Sequence, residues 1–152
     1  ALARRGASRI AIVNRTARRA LGLVARMRAR FPHTEWSYVP PERAASGKYR
    51  TSGGIGGFDL VLNCVPKDSS LPLGDILEAA RCDGSVFCDL NYSSGPTTLS
   101  RSAANAQYRV VPGLEVLLWQ GAYALELFTG LPAPVGTMRG ALAEVAGEWS
   151  AC

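Results

Sequence analysis

Short apolar segments alternate along this chain with longer amphipathic ones. Five segments are predicted to be strands, at residues 9–13, 35–39, 58–65, 86–89 and 108–111; the segment at 35–39 is predicted from its alternation, with Trp36 and Tyr38 in phase. Between them, helical spacing predicts helices over about 17–31, 74–81, 98–106, 114–129 and 134–149. Strands that alternate with helices predict an α/β fold with a doubly wound parallel sheet and right-handed connections.

The helix predicted over 17–31 has a recognisable start and one apolar face. Thr16 is a residue type that caps helix N-termini. One face is formed by apolar side chains at helical spacing, namely Leu21, Val24, Met27 and Phe31. Residues 1–5, upstream, look like the last turn of a helix that Gly6 closes as a C-terminal cap.

A cluster of glycines at 53–57 invites comparison with a phosphate-binding loop. Such a loop follows a strand and opens a helix, whereas this cluster precedes the strand predicted at 58–65. We therefore expect residues 43–57 to form a surface loop, entered after Pro40 and Pro41 end the second strand.

Composition and length fit one globular domain over residues 1–152. Hydrophobic residues make up 47% of the chain and charged residues 19%, and no apolar run approaches the length of a membrane helix. The four cysteines form no Cys-x-x-Cys pair and there is one histidine, which argues against a zinc site or any other metal. Cys64 and Cys88 are predicted to be small buried hydrophobes, which suits a reducing cytoplasm.

Positive charge is concentrated near the start of the chain. The net charge is +5, and nine arginines fall within the first thirty residues. No stacking platform or recognition motif accompanies them, so a solvated helix face explains most of them better than nucleic-acid binding does. We expect no nucleic-acid partner.

The polar loops at the carboxyl ends of the strands predict a ligand site. They comprise Asn14–Arg19, Asn63–Lys67, Asp89–Thr97 and Gly113, and in a parallel sheet they gather on one edge, as in dinucleotide sites. Arg15 and Arg19 follow the first strand, and no acidic residue occurs before Glu35. An arginine at such a position favours a ribose 2′-phosphate, whereas an acidic residue favours an unphosphorylated ribose.

A complete dinucleotide-binding unit opens with a strand and a Gly-x-Gly-x-x-Gly turn, and neither occurs here. We expect the native protein to be longer than this chain. The missing strand would be central, so its absence should interrupt the hydrogen-bonded ladder between its neighbours.

Five motifs in chain order resemble the C-terminal, cofactor-binding half of shikimate dehydrogenase. They are Asn14-Arg15-Thr16-x-x-Arg19, Phe58-Asp59-Leu60-Val61-Leu62-Asn63-Cys64-Val65-Pro66, Asp89-Leu90-Asn91-Tyr92 with Pro96-Thr97, Gly113-Leu114-Glu115-Val116-Leu117, and Gln120-Gly121-Ala122 with Thr129-Gly130. The resemblance implies a Rossmann-like NADP-binding domain with C-terminal helices. It also implies an enzyme that reduces 3-dehydroshikimate to shikimate with NADPH in aromatic amino acid biosynthesis.

The resemblance assigns roles residue by residue. The adenosine 2′-phosphate would be held by Asn14, Arg15, Thr16 and Arg19. The nicotinamide end would be flanked by Cys64, Val65, Leu90, Gly113 and Val116, although the family more often has Ala-Thr at 64–65 and methionine at 90 and 116. The substrate would be touched by Tyr92 and Gln120, the latter expected to be buried beside Leu117, Ala124 and Leu127.

The family's proton-transferring lysine and aspartate belong to its N-terminal substrate domain, and neither Lys48 nor Lys67 stands in the matching context. We therefore expect this chain to carry cofactor binding without the acid–base step. Two alternatives stay open at this point: a quinate/shikimate dehydrogenase, and a non-catalytic NADP-binding module. The sequence does not distinguish a monomer from a homodimer.

Overall fold

Five parallel strands, six α-helices and one short 3-10 helix make up the regular structure of the described residues. The computed structural model describes residues 1–47, 57–66, 69–92 and 95–146. The strands are β1 (Arg9–Val13), β2 (Glu35–Val39), β3 (Leu60–Asn63), β4 (Val86–Asp89) and β5 (Arg109–Val111). The helices are α1 (Ala17–Arg30), α2 (Pro41–Ala45), α3 (Leu73–Ala80), α4 (Thr98–Asn105), α5 (Gly113–Thr129) and α6 (Val135–Ala146).

The chain divides into two compact units. The first comprises residues 1–56 and 70–80, and the second comprises residues 57–69 and 81–152. In the first unit β1 pairs with β2, and in the second the strand order is β3-β4-β5. Every pairing is parallel, which confirms the α/β fold; no ladder among the described residues joins β1-β2 to β3-β4-β5. Two separate sheets agree with the expectation of an interrupted ladder.

In the first unit, α1 connects the two paired strands and packs against them. Its buried residues are Ala20 and Val24, and the β2 residues Trp36 and Val39 are 7% and 2% exposed. The Arg28 guanidinium donates from Nε and Nη2 to the Trp36 carbonyl, at 3.1 and 2.6 Å. This arginine therefore holds helix and strand together.

Leu21 does not belong to the buried face of α1, contrary to the sequence analysis. Its side chain is 53% exposed, whereas Ala20 is 2% exposed. Neighbouring helical residues point about 100° apart, and Ala20 lies one turn before Val24 on the side facing the strands. A small side chain there lets the helix approach the strands closely.

The segment after β2 also differs from the prediction. Pro41, expected only to end the second strand, begins α2, because the fixed φ of proline suits a helix start. The helix extends into the loop predicted from residue 43. Gly6 does close a short 3-10 helix at Ala3–Arg5 with a left-handed φ of 88°, as predicted. Residues 53–56 of the glycine cluster, Lys48, Lys67, Cys152 and the predicted end of the last helix lie outside the described residues.

In the second unit, the core forms around β4. Phe87 is fully buried, and its ring meets Tyr108 edge-on at 6.3 Å between centroids. Ala103 of α4 and Leu118 and Ala122 of α5 are at most 3% exposed. On α6, Arg139 forms a bidentate ion pair with Glu115 of α5. Its Nη1 donates to Oε2 at 2.6 Å and its Nη2 to Oε1 at 2.8 Å.

β3 is shorter and more exposed than the apolar run at 58–65 predicts. It pairs with β4 alone among the described strands, and Leu60 and Leu62 on one face are 36% and 42% exposed. An edge strand is covered on fewer sides than a central one, so its apolar sequence does not guarantee burial.

Within the described ranges, no helix combines the length and apolarity that crossing a membrane requires.

Candidate functional site

The loop after β1 is a defined turn. The Asn14 side-chain oxygen accepts the Thr16 backbone N–H at 2.8 Å, and the Tyr38 hydroxyl of β2 donates to the Asn14 carbonyl at 3.4 Å. An asparagine that bonds the backbone two residues on stabilises such a turn by itself. The turn places Arg15 on the surface directly before α1.

Thr16 stands at the position before α1, as predicted, but its side chain does not cap the helix. Its φ is −97° and its hydroxyl accepts no backbone N–H of the first turn. The backbone of Thr16 is engaged instead, since its N–H bonds to Asn14 and its carbonyl accepts from Arg19 and Ala20. The first turn of α1 therefore presents N–H groups that its own threonine leaves uncapped.

Arginines without a carboxylate partner surround this helix start. Arg15, Arg18 and Arg19 are all exposed, and no ion pair within the described part of the chain involves them. The first turn of α1 contains no acidic residue. Positive side chains at a helix N-terminus are repelled by the positive end of the helix dipole, and a bound anion offsets this repulsion. This arrangement fits a phosphate group.

In the second unit, the carboxylate of Asp89 organises the loops at the ends of β3 and β4. Asp89 is 1% exposed. Its Oδ1 accepts from Asn63 Nδ2 at 2.9 Å and from the backbone N–H and Nδ2 of Asn91 at 3.0 and 3.1 Å. Its Oδ2 accepts from the Thr97 hydroxyl at 2.6 Å and the Ser100 hydroxyl at 3.3 Å.

These hydrogen bonds also decide the charge of Asp89. Burial by itself raises the pKa of a carboxyl group, but the donors Thr97, Asn91 and Asn63 outweigh burial here. The pKa of Asp89 lies below its ordinary value of 3.8. The group is therefore an anion at neutral pH, stabilised by neutral donors.

The same network holds the segment that contains Val65. The Val65 N–H donates to Asn63 Oδ1 at 3.2 Å, and its carbonyl accepts from Asn91 Nδ2 at 2.8 Å. Next to it, the Leu90 N–H donates to the Asn63 carbonyl at 3.0 Å. Val65 and Leu90, two predicted cofactor residues, are thus fixed in adjoining loops.

Gly113 lies against these loops. A Cβ atom at this position would stand 2.4 Å from the Asn91 carbonyl oxygen and 2.8 Å from that of Asp89. Real Cβ atoms do not approach backbone so closely. The close contact of α5 with the chain after β4 therefore requires glycine here.

The apolar residues predicted for this region are reachable from solvent. Leu90 and Tyr92 are 39% and 57% exposed, and Val65 and Val116 are half-buried. Cys64 was expected to be buried but is exposed, because β3 ends at Asn63 and the buried side of the chain carries the Asn63 amide. Partial burial still raises the pKa of the Cys64 thiol.

Gln120 is exposed, which contradicts the prediction of a buried amide. The face of α5 that packs inward carries Leu114, Leu118 and Ala122, so Gln120 and Leu127 lie outside it, the latter 82% exposed. Gln120 therefore needs no internal hydrogen-bond partner, and its amide can meet a ligand.

The structure brings the predicted residues into two groups, one in each unit. Asn14, Arg15, Thr16 and Arg19 occupy one turn and the helix that follows it. Asp89 and Thr97 belong to the third sequence motif, but the sequence predicts no role for either. The signal was available, because an aspartate that ends an apolar strand is buried only with hydrogen-bond donors around it.

Known proteins resemble this chain in sequence. A family model described as the shikimate 5'-dehydrogenase C-terminal domain matches residues 113–143. A shikimate dehydrogenase (NADP(+)) of Symbiobacterium thermophilum is 35% identical over 151 residues, covering 94% of this chain and 48% of that protein. One from Microcystis aeruginosa is 48% identical over 99 residues, covering 59% of this chain and 33% of that protein.

The chain is homologous to shikimate dehydrogenases.

Solved structures agree with this family relationship. The fold matches Mycobacterium tuberculosis shikimate dehydrogenase with a TM-score of 0.71 and 27% identity, over 94% of this chain and 50% of that one. It matches a Thermus thermophilus shikimate 5-dehydrogenase in complex with shikimate with a TM-score of 0.67 and 28% identity, over 96% and 48%. The chain spans about half, or less, of the length of these relatives.

Proposed function

We propose that this chain is the cofactor-binding part of an NADP-dependent shikimate dehydrogenase, which reduces 3-dehydroshikimate to shikimate with NADPH. The observation that carries the proposal is the set of exposed arginines at the start of α1. Arg15 and Arg19 have no carboxylate partner among the described residues, and no acidic side chain precedes Glu35 to favour an unphosphorylated ribose.

The first unit would bind the adenosine end of NADP. Arg15 and Arg19 supply planar guanidinium groups, which form paired hydrogen bonds with phosphate oxygens. Asn14 holds the turn that positions Arg15. Thr16, exposed at the same turn, offers its hydroxyl to the same phosphate.

The second unit would bind the nicotinamide end. Apolar side chains for the nicotinamide ring would come from Val65, Leu90 and Val116. Gly113 allows α5 to pack directly against the backbone that follows β4. Cys64 borders this region with an exposed thiol. Bound NADPH supplies the hydride that the substrate carbonyl accepts.

Tyr92 and Gln120 would orient the substrate. Both are exposed, and a phenolic hydroxyl and an amide suit the hydroxyl groups of a shikimate-like ring. Proton transfer to the new hydroxyl would come from the lysine and aspartate of a substrate domain in the same polypeptide. We expect such an enzyme to work in the cytoplasm.

The test is to replace Arg15 in the complete natural polypeptide. With Arg15→Ala, we expect the KM for NADPH to rise about 10- to 150-fold, since a charge-assisted hydrogen bond contributes about 1.5–3 kcal/mol. The KM for NADH should change by less than about twofold, because NADH has no 2′-phosphate. Steady-state reduction of 3-dehydroshikimate measures both values.

Arg18→Ala is the matched control. Arg18 is also exposed and lies in the first turn of α1, but it is not among the residues predicted to hold the phosphate. Equal effects of Arg15→Ala on NADPH and NADH would overturn the phosphate assignment. Oxidation of quinate at a rate comparable with that of shikimate would instead place the protein among quinate/shikimate dehydrogenases.

A further inference from the structure

Asp89 is a buried anion without a cation. It forms no ion pair within the described residues, and five neutral donor groups surround its two oxygens. Removing a carboxylate from water costs several kcal/mol, and the interior of a sheet is more simply stabilised by an apolar side chain. A buried carboxylate at the end of a strand therefore calls for an explanation beyond packing.

The donors come from three separate segments of the second unit. Asn63 ends β3, Asn91 follows β4, and Thr97 and Ser100 lie at the start of α4. Thr97 also caps α4, since its side-chain oxygen accepts the Ser100 N–H at 3.0 Å. One carboxylate thus fixes the ends of two neighbouring strands and the start of a helix.

Two of those segments carry the residues assigned to the nicotinamide end. Asn63 donates from Nδ2 to Asp89 and accepts the Val65 N–H at Oδ1. Asn91 donates to Asp89 from its backbone N–H and from Nδ2, and the same Nδ2 donates to the Val65 carbonyl. The backbone of Asp89 and Asn91 also forms the surface against which Gly113 packs. The Oδ1 hydrogen bonds of Asp89 therefore lead through Asn63 and Asn91 to Val65, and its backbone adjoins Leu90 and contacts Gly113, whereas its Oδ2 bonds lead to the start of α4.

We propose that Asp89 is the positioning residue of the nicotinamide end of the site, a buried carboxylate that sets the relative placement of Val65, Leu90 and Gly113. The proposal rests on the proposed function. It assigns no contact between Asp89 and the cofactor or the substrate. Its effect is transmitted through Asn63, Asn91 and Thr97.

Asp89→Asn tests this in the complete natural polypeptide. The amide keeps the shape and one acceptor oxygen but turns the other acceptor into a donor that faces the hydroxyls of Thr97 and Ser100. We expect kcat for 3-dehydroshikimate reduction to fall about tenfold or more and the KM for NADPH to rise. The inhibition constant of 2′,5′-ADP, which lacks nicotinamide, should stay within about twofold of the wild-type value.

A pair of variants at Thr97 covers the case in which Asp89→Asn does not fold. Thr97→Val removes the hydroxyl at nearly constant shape, whereas Thr97→Ser retains the hydroxyl that reaches Asp89 and caps α4. We expect Thr97→Val to show the same selective loss of NADPH turnover as Asp89→Asn. Thr97→Ser should keep turnover close to the wild-type rate. A urea midpoint for each variant shows that it is folded under the assay conditions.

The outcomes separate this proposal from the proposed function. A wild-type protein that binds neither 2′,5′-ADP nor NADPH overturns the proposed function, and the role of Asp89 with it. An active wild type with a folded Asp89→Asn variant of unchanged kcat and KM overturns the role of Asp89 alone. A parallel loss of affinity for NADPH and 2′,5′-ADP also overturns it, since that result indicates general destabilisation.

Discussion

Gly113 illustrates a residue whose identity is set by another segment of the chain. Its turn position after Pro112 suggests a glycine needed for backbone freedom or for close approach of a ligand. The structure gives a more specific reason, because the carbonyl oxygens of Asn91 and Asp89 occupy the space of a side chain. No local pattern reveals this contact.

Gly113→Ala should destabilise the protein. The added methyl must displace backbone, and overpacking of this kind costs about 1–3 kcal/mol of unfolding free energy. Gly140→Ala on α6 is the control, since a Cβ there meets nothing within 4 Å and alanine favours a helix. Urea denaturation compares the two, and equal midpoints would contradict the proposed steric reason.

The lowered pKa of Asp89 makes the free energy of unfolding depend on pH. Its pKa is lower in the folded protein than its ordinary value of 3.8, so the folded state gains stability above that pH. That stability is lost as the pH falls through this value toward the folded pKa.

We expect the urea midpoint of the wild type to drop between about pH 5 and pH 3, and Asp89→Asn to show a shallower decline. The control is Asp75→Asn, which removes a carboxylate from an exposed position on α3. Identical slopes for Asp89→Asn and the wild type would refute the assigned role of this carboxylate in acid stability.

At the scale of elements, α5 shows why a helix is easier to predict than its buried face. Its bounds, Gly113–Thr129, match the predicted 114–129 closely, and Gly130 ends it with a left-handed φ of 71°. Apolar residues occur on all its sides, so periodicity alone does not select one face. Packing buries Leu118 and leaves Leu127 exposed.

This pair of leucines provides a direct test. Leu118→Ala should lower the unfolding free energy by about 2–5 kcal/mol, because a buried leucine leaves a cavity when truncated. Leu127→Ala should change it by no more than about 0.5 kcal/mol, as for other surface positions. Chemical denaturation measures both, and a comparable cost at Leu127 would show that this side chain is covered in solution.

The other elements were predictable where the local signals agreed. β1 and β4 match the predicted 9–13 and 86–89 because apolar runs there are bounded by breakers or polar residues, and β2 matches 35–39 because Trp36 and Tyr38 alternate with polar residues before Pro40. α2 was missed because Pro40-Pro41 was interpreted only as the end of a strand, although proline also begins helices.

At the scale of the whole molecule, the chain forms two units with separate parallel sheets. The sequence predicts that the loops at the carboxyl ends of the strands meet in one crevice, and this stays a prediction. The chain also covers 48% or less of the length of the Symbiobacterium thermophilum and Microcystis aeruginosa relatives. We propose that the natural polypeptide includes a substrate-binding segment as well.

Sequencing the natural coding region tests this proposal. We expect a segment before Ala1 that carries the lysine and aspartate of the family's proton-transfer pair. An unrelated neighbouring domain would favour a non-catalytic NADP-binding module over the enzyme. The two outcomes also differ in activity, since only the enzyme oxidises shikimate with NADP.

The sequence by itself determined the alternation of strands and helices, the arginines after β1 and the resemblance to shikimate dehydrogenases. These depend on local periodicity and on motifs in fixed order, which the linear chain contains. Only the tertiary structure decided which faces of α1 and α5 are buried, that Gln120 and Cys64 are exposed, and that Asp89 joins three segments. Burial and long-range hydrogen bonds depend on which segments meet in space, and residues 26 positions apart, such as Asn63 and Asp89, meet only in the fold.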